Sequence, residues 1–208
     1  MAESANAVCA WYQSGWTDVN ESASALAWGM RLIGFLINAG LRLFMLAVLD
    51  EAVRKPDDPR YRGKAIGTRG LVMIPLSLVV PLRHRALRGG ARSYPVWTDN
   101  LWLSIFALDL LGNHFDLYDR YRYFDALPHA HGTGAATVVV AELAELPVLS
   151  AVGAAQIGHI ALEAQEYYSD ILFGLRNVRG TWDTVNDLLA GAAGSLVYAG
   201  LLRWGRGR

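Results

Sequence analysis

The sequence predicts an all-α, polytopic transmembrane helical bundle, and three observations lead there. Hydrophobic residues make up 53% of the 208 residues and charged ones only 18%, with a mean hydropathy of +0.21, which leans beyond ordinary soluble composition. Apolar stretches recur along the chain, several at or above the ~20 residues that carry a helix across a bilayer. Strand-like alternation persists nowhere and no internal repeat is evident, so a single integral domain over residues 1–208 is expected.

Residues 1–20 contain no Lys or Arg and no long apolar core, which does not fit a secretory signal peptide. Cys9 is the single cysteine, so neither an intrachain disulfide nor a cysteine-based metal site can form. Residues 22–50 make the first apolar segment, interrupted by Arg31, Asn38 and Arg42. Arg31 and Arg42 are eleven apart, close to three helical turns, so both fall on one face, expected to meet protein. The alternative for this segment is a surface helix of a soluble protein. A polar stretch with Pro56, Pro59 and Gly63 follows and reads as a loop.

Residues 70–82 are apolar but short, with Pro75 and Pro81. Thirteen residues give about 20 Å of helix against a hydrocarbon core of ~30 Å, so a re-entrant or interfacial piece is expected. Residues 97–113 form the next segment and carry Asp99, Asn100 and Asp109. Residues 124–149 form the fourth; Pro128 stands in its first turn, where the missing N–H costs little. Residues 152–173 and 182–204 complete the set, separated by a turn containing Asn177 and Gly180.

The net charge is zero, but the charges are segregated. Residues 54–92 hold ten Lys/Arg against two acids, and residues 94–187 hold twelve acids against four Arg. Lys and Arg concentrate on the cytoplasmic side of membrane proteins. Both flanks of 70–82 are basic, so a piece that dips in and returns keeps both cytoplasmic. The N-terminus is then outside and the tail with Arg203, Arg206 and Arg208 inside, with five crossings plus one partial element; six full crossings is the alternative. The basic stretch flanks apolar segments, which suits anionic lipid head groups rather than nucleic acid. There is no phosphate-cradling glycine loop, nucleophile elbow or zinc-protease motif.

Three pairs of ionisable residues carry the functional reading. Asp125 and His129 lie four apart, Glu163 and Glu166 three apart, and Asp183 and Asp187 four apart. At these spacings each pair shares a helix face. Ionisable groups in apolar company need partners or a task. In the five-crossing topology all three pairs reach a similar depth near the outer face, while Glu142 and Glu145 fall at the opposite end.

Asp125, His129, Glu163, Glu166 and Asp187 are the candidate catalytic residues. A divalent metal, if used, would be held by His129, Glu163, Glu166 and Asp187, since carboxylates suit hard cations and imidazole suits zinc-like ones. Such an ion could activate water against a phosphate or ester. Without metal, a carboxylate buried beside others can act as a general acid. Ligand binding, ion passage and a purely structural polar network, with Asp183 as a helix N-cap, stand beside these readings. His159, four before Glu163, is either a supporting partner or a satisfied interior histidine. His131 points elsewhere, Asp109 is a further candidate to face the site, and His114, Asp116 and Asp119 are expected to be solvated. Gly132, Gly134, Gly191 and Gly194 are expected to permit close helix contact.

At these residues the chain resembles the YjdF-type family of small bacterial integral membrane proteins, related to the VanZ-like family. The matching parts are Asp125-Ala-Leu-Pro-His129, then Glu163-Ala-Gln-Glu166-Tyr167-Tyr168-Ser169-Asp170, then Asp183-Thr184-Val185-Asn186-Asp187-Leu188 with Gly191 and Gly194 beyond. Order and spacing agree across roughly residues 113–200, and the family often has Asn where this chain has Gly191. The resemblance implies a multi-pass protein of the bacterial cell (inner) membrane. The functional expectations are an enzyme acting on a lipid or lipid-linked substrate at the outer leaflet, or a non-catalytic binding, transport or accessory protein, with membrane lipids as partners in either case.

Overall fold

The computed structural model describes residues 21–64, 66–87, 89–90, 93–175, 177–178 and 180–206, with the side chains of 21–25 and 68 excepted. Expectations that rest on residues 1–20, Cys9 among them, lie outside this range. Every regular element among the described residues is helical: α1 Glu21–Arg54, α2 Ile66–Ser77, α3 Val79–Ala86, α4 Val96–His114, the single turn α5 Leu117–Arg120, α6 Ala126–Leu143, α7 Val148–Phe173 and α8 Thr181–Arg206. Two stretches, Leu26–Arg54 and Thr181–Arg206, are long and apolar enough to cross a membrane. Large apolar side chains stay exposed on the outside of the bundle, among them Leu36 and Leu43 on α1, Leu71 on α2, Ile157 and Leu172 on α7, and Leu189 and Leu196 on α8.

The N-terminal half buries its apolar residues between α1 and α4. Met45, Val48, Leu49 and Ala52 meet Leu103, Phe106, Ala107 and Leu110, and Tyr61 and Ile66 close the end. The C-terminal half is held differently. A Cβ on Gly194 would collide with the Ala130 backbone carbonyl, and one on Gly134 would sit 2.9 Å from the Gly194 carbonyl oxygen. The α6 and α8 backbones therefore touch through glycines, and close approach gains dispersion contacts that need no hydrophobic driving force.

Side-chain bonds fix the direction of each helix. Tyr61 shares a 3.0 Å hydrogen bond with His114 Nδ1, and Lys64 Nζ donates to Asp119 Oδ2 at 2.6 Å. The loop after α1 and the loop after α4 thus lie at one end. His114 and Asp119 are held there rather than merely solvated. In the same loop, hydrogen bonds from the Arg60 side chain and N–H hold the Asp58 carboxyl down to about 2. Arg83, in α3, comes within 3.8 Å of Glu145 after α6, and Thr98 at the start of α4 donates to Glu142 at 2.6 Å, so these residues mark the other end.

Residues 70–82 accordingly do not dip and return. The pair α2–α3 runs from the first end to the second, because residues 66–69 and 83–86, with Arg69, Arg83 and Arg85 among them, also wind into helix and lengthen an apolar stretch that is too short alone. Its two flanks lie at opposite ends of the bundle, and the start of α1 and the end of α8 share an end. The expected five-crossing layout would put these two termini at opposite ends of the bundle; the lengthwise run of α2–α3 accounts for the difference.

Proline accounts for the break between α2 and α3. Pro81 has no N–H to offer the Ser77 carbonyl one turn earlier. Arg42 Nη1 donates to that carbonyl at 3.1 Å instead, and Trp102 Nε1 donates to the neighbouring Leu76 carbonyl at 2.7 Å. The expected arginine face of α1 is therefore real at Arg42. Its Nη2 also pairs with Asp99 Oδ2 at 2.7 Å, where Asn38 Nδ2 and Tyr94 OH donate as well, at 2.7 and 2.6 Å. Arg31 lies instead over the Phe35 ring, 5.4 Å from its centroid.

Candidate functional site

Three of the helices that reach the first end, α6, α7 and α8, bring ionisable groups together around His129. Asp125 precedes α6 and His129 stands in its first turns, Glu163 and His159 lie one turn apart on α7, and Asp187 lies two turns into α8. Helices α6 and α8 run parallel while α7 packs antiparallel against both, so residues at one level come from the start of two helices and the later part of the third. Glu163, His159 and Asp187 are each 5% exposed.

His129 is the hub. Its Nδ1 is 2.8 Å from His159 Nε2 and 3.4 Å from Glu163 Oε1. Its Nε2 is 3.4 Å from Asp125 Oδ1 and 3.9 Å from Asp187 Oδ2. His159 Nε2 is itself 3.4 Å from Glu163 Oε1. Among the described residues, Glu163 Oε1 has no hydrogen-bond partner, and neither does His159 Nδ1. Two sets of side chains here have the spacing to hold a metal ion: His129 with His159 and Glu163, and Asp125 with His129 and Asp187.

Gly191 explains how His159 enters. A Cβ there would occupy the space of the His159 ring and lie 2.7 Å from Thr133 Oγ1. The missing side chain of Gly191 makes room for an imidazole.

Glu166 stands apart from this set. Arg69 Nη2 donates to Glu166 Oε1 at 3.1 Å and to Asn177 Oδ1 at 2.5 Å, and Arg69 Nη1 lies 3.5 Å from Asp109 Oδ1. Tyr118 OH donates to Asp109 at 2.9 Å. Residues three apart on a helix point about 60° away from one another. Glu163 therefore faces α6 and α8 while Glu166 faces α2 and α4. Asp109 joins this neighbouring network rather than the His129 cluster. Asp183 lies inside the first turn of α8 and is not its N-cap, because the helix begins at Thr181; an acid there suits the positive end of the helix dipole. Asp170 accepts from the Asn177 and Val178 N–H groups and shapes the α7–α8 loop.

Arg69 carries no signal of its own in the sequence, since it sits in a run of arginines that reads as surface. The signal that points to it is indirect: the acids Asp109 and Glu166, embedded in apolar segments, require a cation. His131 is turned away, as expected, and bridges Ser104 Oγ and Tyr198 OH at 2.8 and 2.7 Å. Toward the second end the polar line continues through Thr133, Thr137, Ser195 and Gln156, then stops at the buried apolar Val139 and Ala141. Glu145 is exposed at the far end and lies beyond that apolar stretch.

No family model, no curated protein and no solved structure matches this chain.

Proposed function

We propose that this chain is a multi-pass integral protein of the cell membrane, with six passes through the bilayer, and that the His129 cluster is the catalytic pocket of an enzyme acting on a lipid or lipid-linked substrate. The observation that carries the reading is the Glu163 carboxylate: it is 5% exposed, and its Oε1 lacks a hydrogen bond while two imidazoles stand beside it. A buried acceptor left open is costly. Proteins keep such groups where a substrate, ion or proton completes them.

His129, flanked by Asp125 and Asp187 on one nitrogen and Glu163 on the other, can take a proton and return it, the role of a general acid–base. Exposed apolar side chains at the same level, Ile160 and Tyr167 on α7 and Leu189 on α8, suit a substrate approaching from the hydrocarbon. The apolar block at Val139 and Ala141 favours a pocket over a path through the bundle.

The test is lipid turnover in proteoliposomes made from a native membrane lipid extract, read by mass spectrometry. Wild-type protein is expected to deplete a lipid species or release its head group. Glu163→Gln and His129→Ala are expected to lower the rate by roughly 100-fold or more, the usual weight of a positioned acid–base group. Equal turnover by all three proteins, or none by wild type, would overturn the reading.

A further inference from the structure

We infer that the cluster holds one zinc-like divalent cation on His129 Nδ1, His159 Nε2 and Glu163 Oε1. The inference rests on the reading of the cluster as a working site, and goes further by naming the ion's ligands; with the ion bound, His129 would serve as a ligand through Nδ1 and no longer as the acid–base group. The three atoms are mutually spaced at 2.8, 3.4 and 3.4 Å. An ion about 2.0–2.1 Å from all three, the ordinary zinc–nitrogen and zinc–oxygen range, sits roughly 0.8 Å off the plane they define. That leaves a fourth position open on one side, as in catalytic rather than structural zinc sites.

Two further features point the same way. Glu163 Oε1 is buried, aimed at both rings and without a hydrogen bond. Two ring nitrogens 2.8 Å apart can share only one proton, so a hydrogen bond between them leaves the carboxylate oxygen unserved. A cation satisfies all three atoms at once. The other nitrogen of His129 faces Asp125 at 3.4 Å and Asp187 at 3.9 Å, the carboxylate–histidine–metal arrangement that fixes the ring and raises its basicity. Asp187 is thus a positioning residue, and Glu166, drawn away by Arg69, is not a ligand.

This differs from the ligand set expected from sequence in three places: His159 enters, and Glu166 and Asp187 leave. The test uses the full chain purified in detergent, dialysed against zinc and then against metal-free buffer, with metal content by elemental mass spectrometry and the electronic spectrum of the cobalt-substituted protein as a second readout. About one zinc per chain is expected, with a four-coordinate cobalt spectrum. Glu163→Gln, an isosteric change, and His159→Ala are expected to abolish stoichiometric retention. Asp125→Asn is expected to weaken it about 10- to 100-fold through the outer shell, and Glu166→Gln is expected to leave it unchanged. Helical circular dichroism and a single size-exclusion peak report that each variant is folded. Zinc content in folded wild type no higher than in Glu163→Gln would overturn the assignment, as would undiminished retention in folded His159→Ala. Lipid turnover without bound metal would sink the ion and leave the enzyme reading standing; bound metal without turnover would do the reverse.

Discussion

Gly194→Ala is expected to be among the most damaging single changes in the chain, although it adds one methyl group. The Cβ would meet the Ala130 carbonyl, which is backbone in the facing helix and cannot rotate aside. Helices α6 and α8 must then separate along their length. With them go the Gly134 contact to the Gly194 carbonyl and the Thr137–Ser195 hydrogen bond of 3.1 Å. Overpacking a well-filled interior costs about 1–3 kcal/mol, and a clash against backbone belongs at or above the top of that range. The control is Gly158→Ala on α7, where nothing lies within 4 Å of the new methyl. It is expected to stay within about 1 kcal/mol of wild type, on the stabilising side, because Ala is the better helix former. Unfolding of both variants in a denaturing detergent titration separates the cases. Equal midpoints would show that α6 and α8 do not touch through these glycines.

Arg42→Ala is the second large effect. It removes the cation from Asp99, whose side chain is fully buried, and it reopens the Ser77 carbonyl that Pro81 cannot serve. Breaking a buried ion pair by deleting one partner costs about 3–5 kcal/mol. Asn38 and Tyr94 still donate to Asp99, and Arg42 is a quarter exposed, so the lower end of that range is expected. Exchanging both partners is a different matter, because a buried pair replaced by neutral groups of similar shape is often tolerated. The double variant Arg42→Met with Asp99→Asn is therefore expected to recover more than half of the loss. The same titration checks this. A double variant no better than Arg42→Ala would mean that the guanidinium matters for the Ser77 carbonyl and not for the charge on Asp99.

Much of the helical layout is legible in the sequence, because apolar runs bounded by Pro, Gly and charge are local signals. The segments expected at 97–113, 152–173 and 182–204 differ from α4, α7 and α8 by a few residues at their ends. Helix α6 is shorter than its expected segment: Ala144 to Pro147 leave the helix, with Glu145 at a positive φ of 53°. The lengthwise run of α2 and α3 along the bundle is not legible, since hydropathy counts only its apolar centre and hides the arginines that complete the length.

In the candidate site, helical spacing suffices to pair Asp125 with His129 and to single out Glu163 and Asp187. It does not separate Glu163 from Glu166, because an angle of about 60° on one helix becomes two different neighbours only after α2 and α8 are in place. Nor does it show that His159 enters the cluster, which depends on the missing side chain of Gly191 on another helix.

The convergence of α6, α7 and α8 side chains on His129 can be measured directly by a double-mutant cycle on unfolding free energy with His129→Ala and Glu163→Gln. Groups in direct contact couple by about 0.5–3 kcal/mol, whereas distant ones add within about 0.5 kcal/mol. A coupling of about 1 kcal/mol or more is expected, with a smaller one for His129→Ala paired with Glu166→Gln. Strict additivity of the first pair would contradict the account.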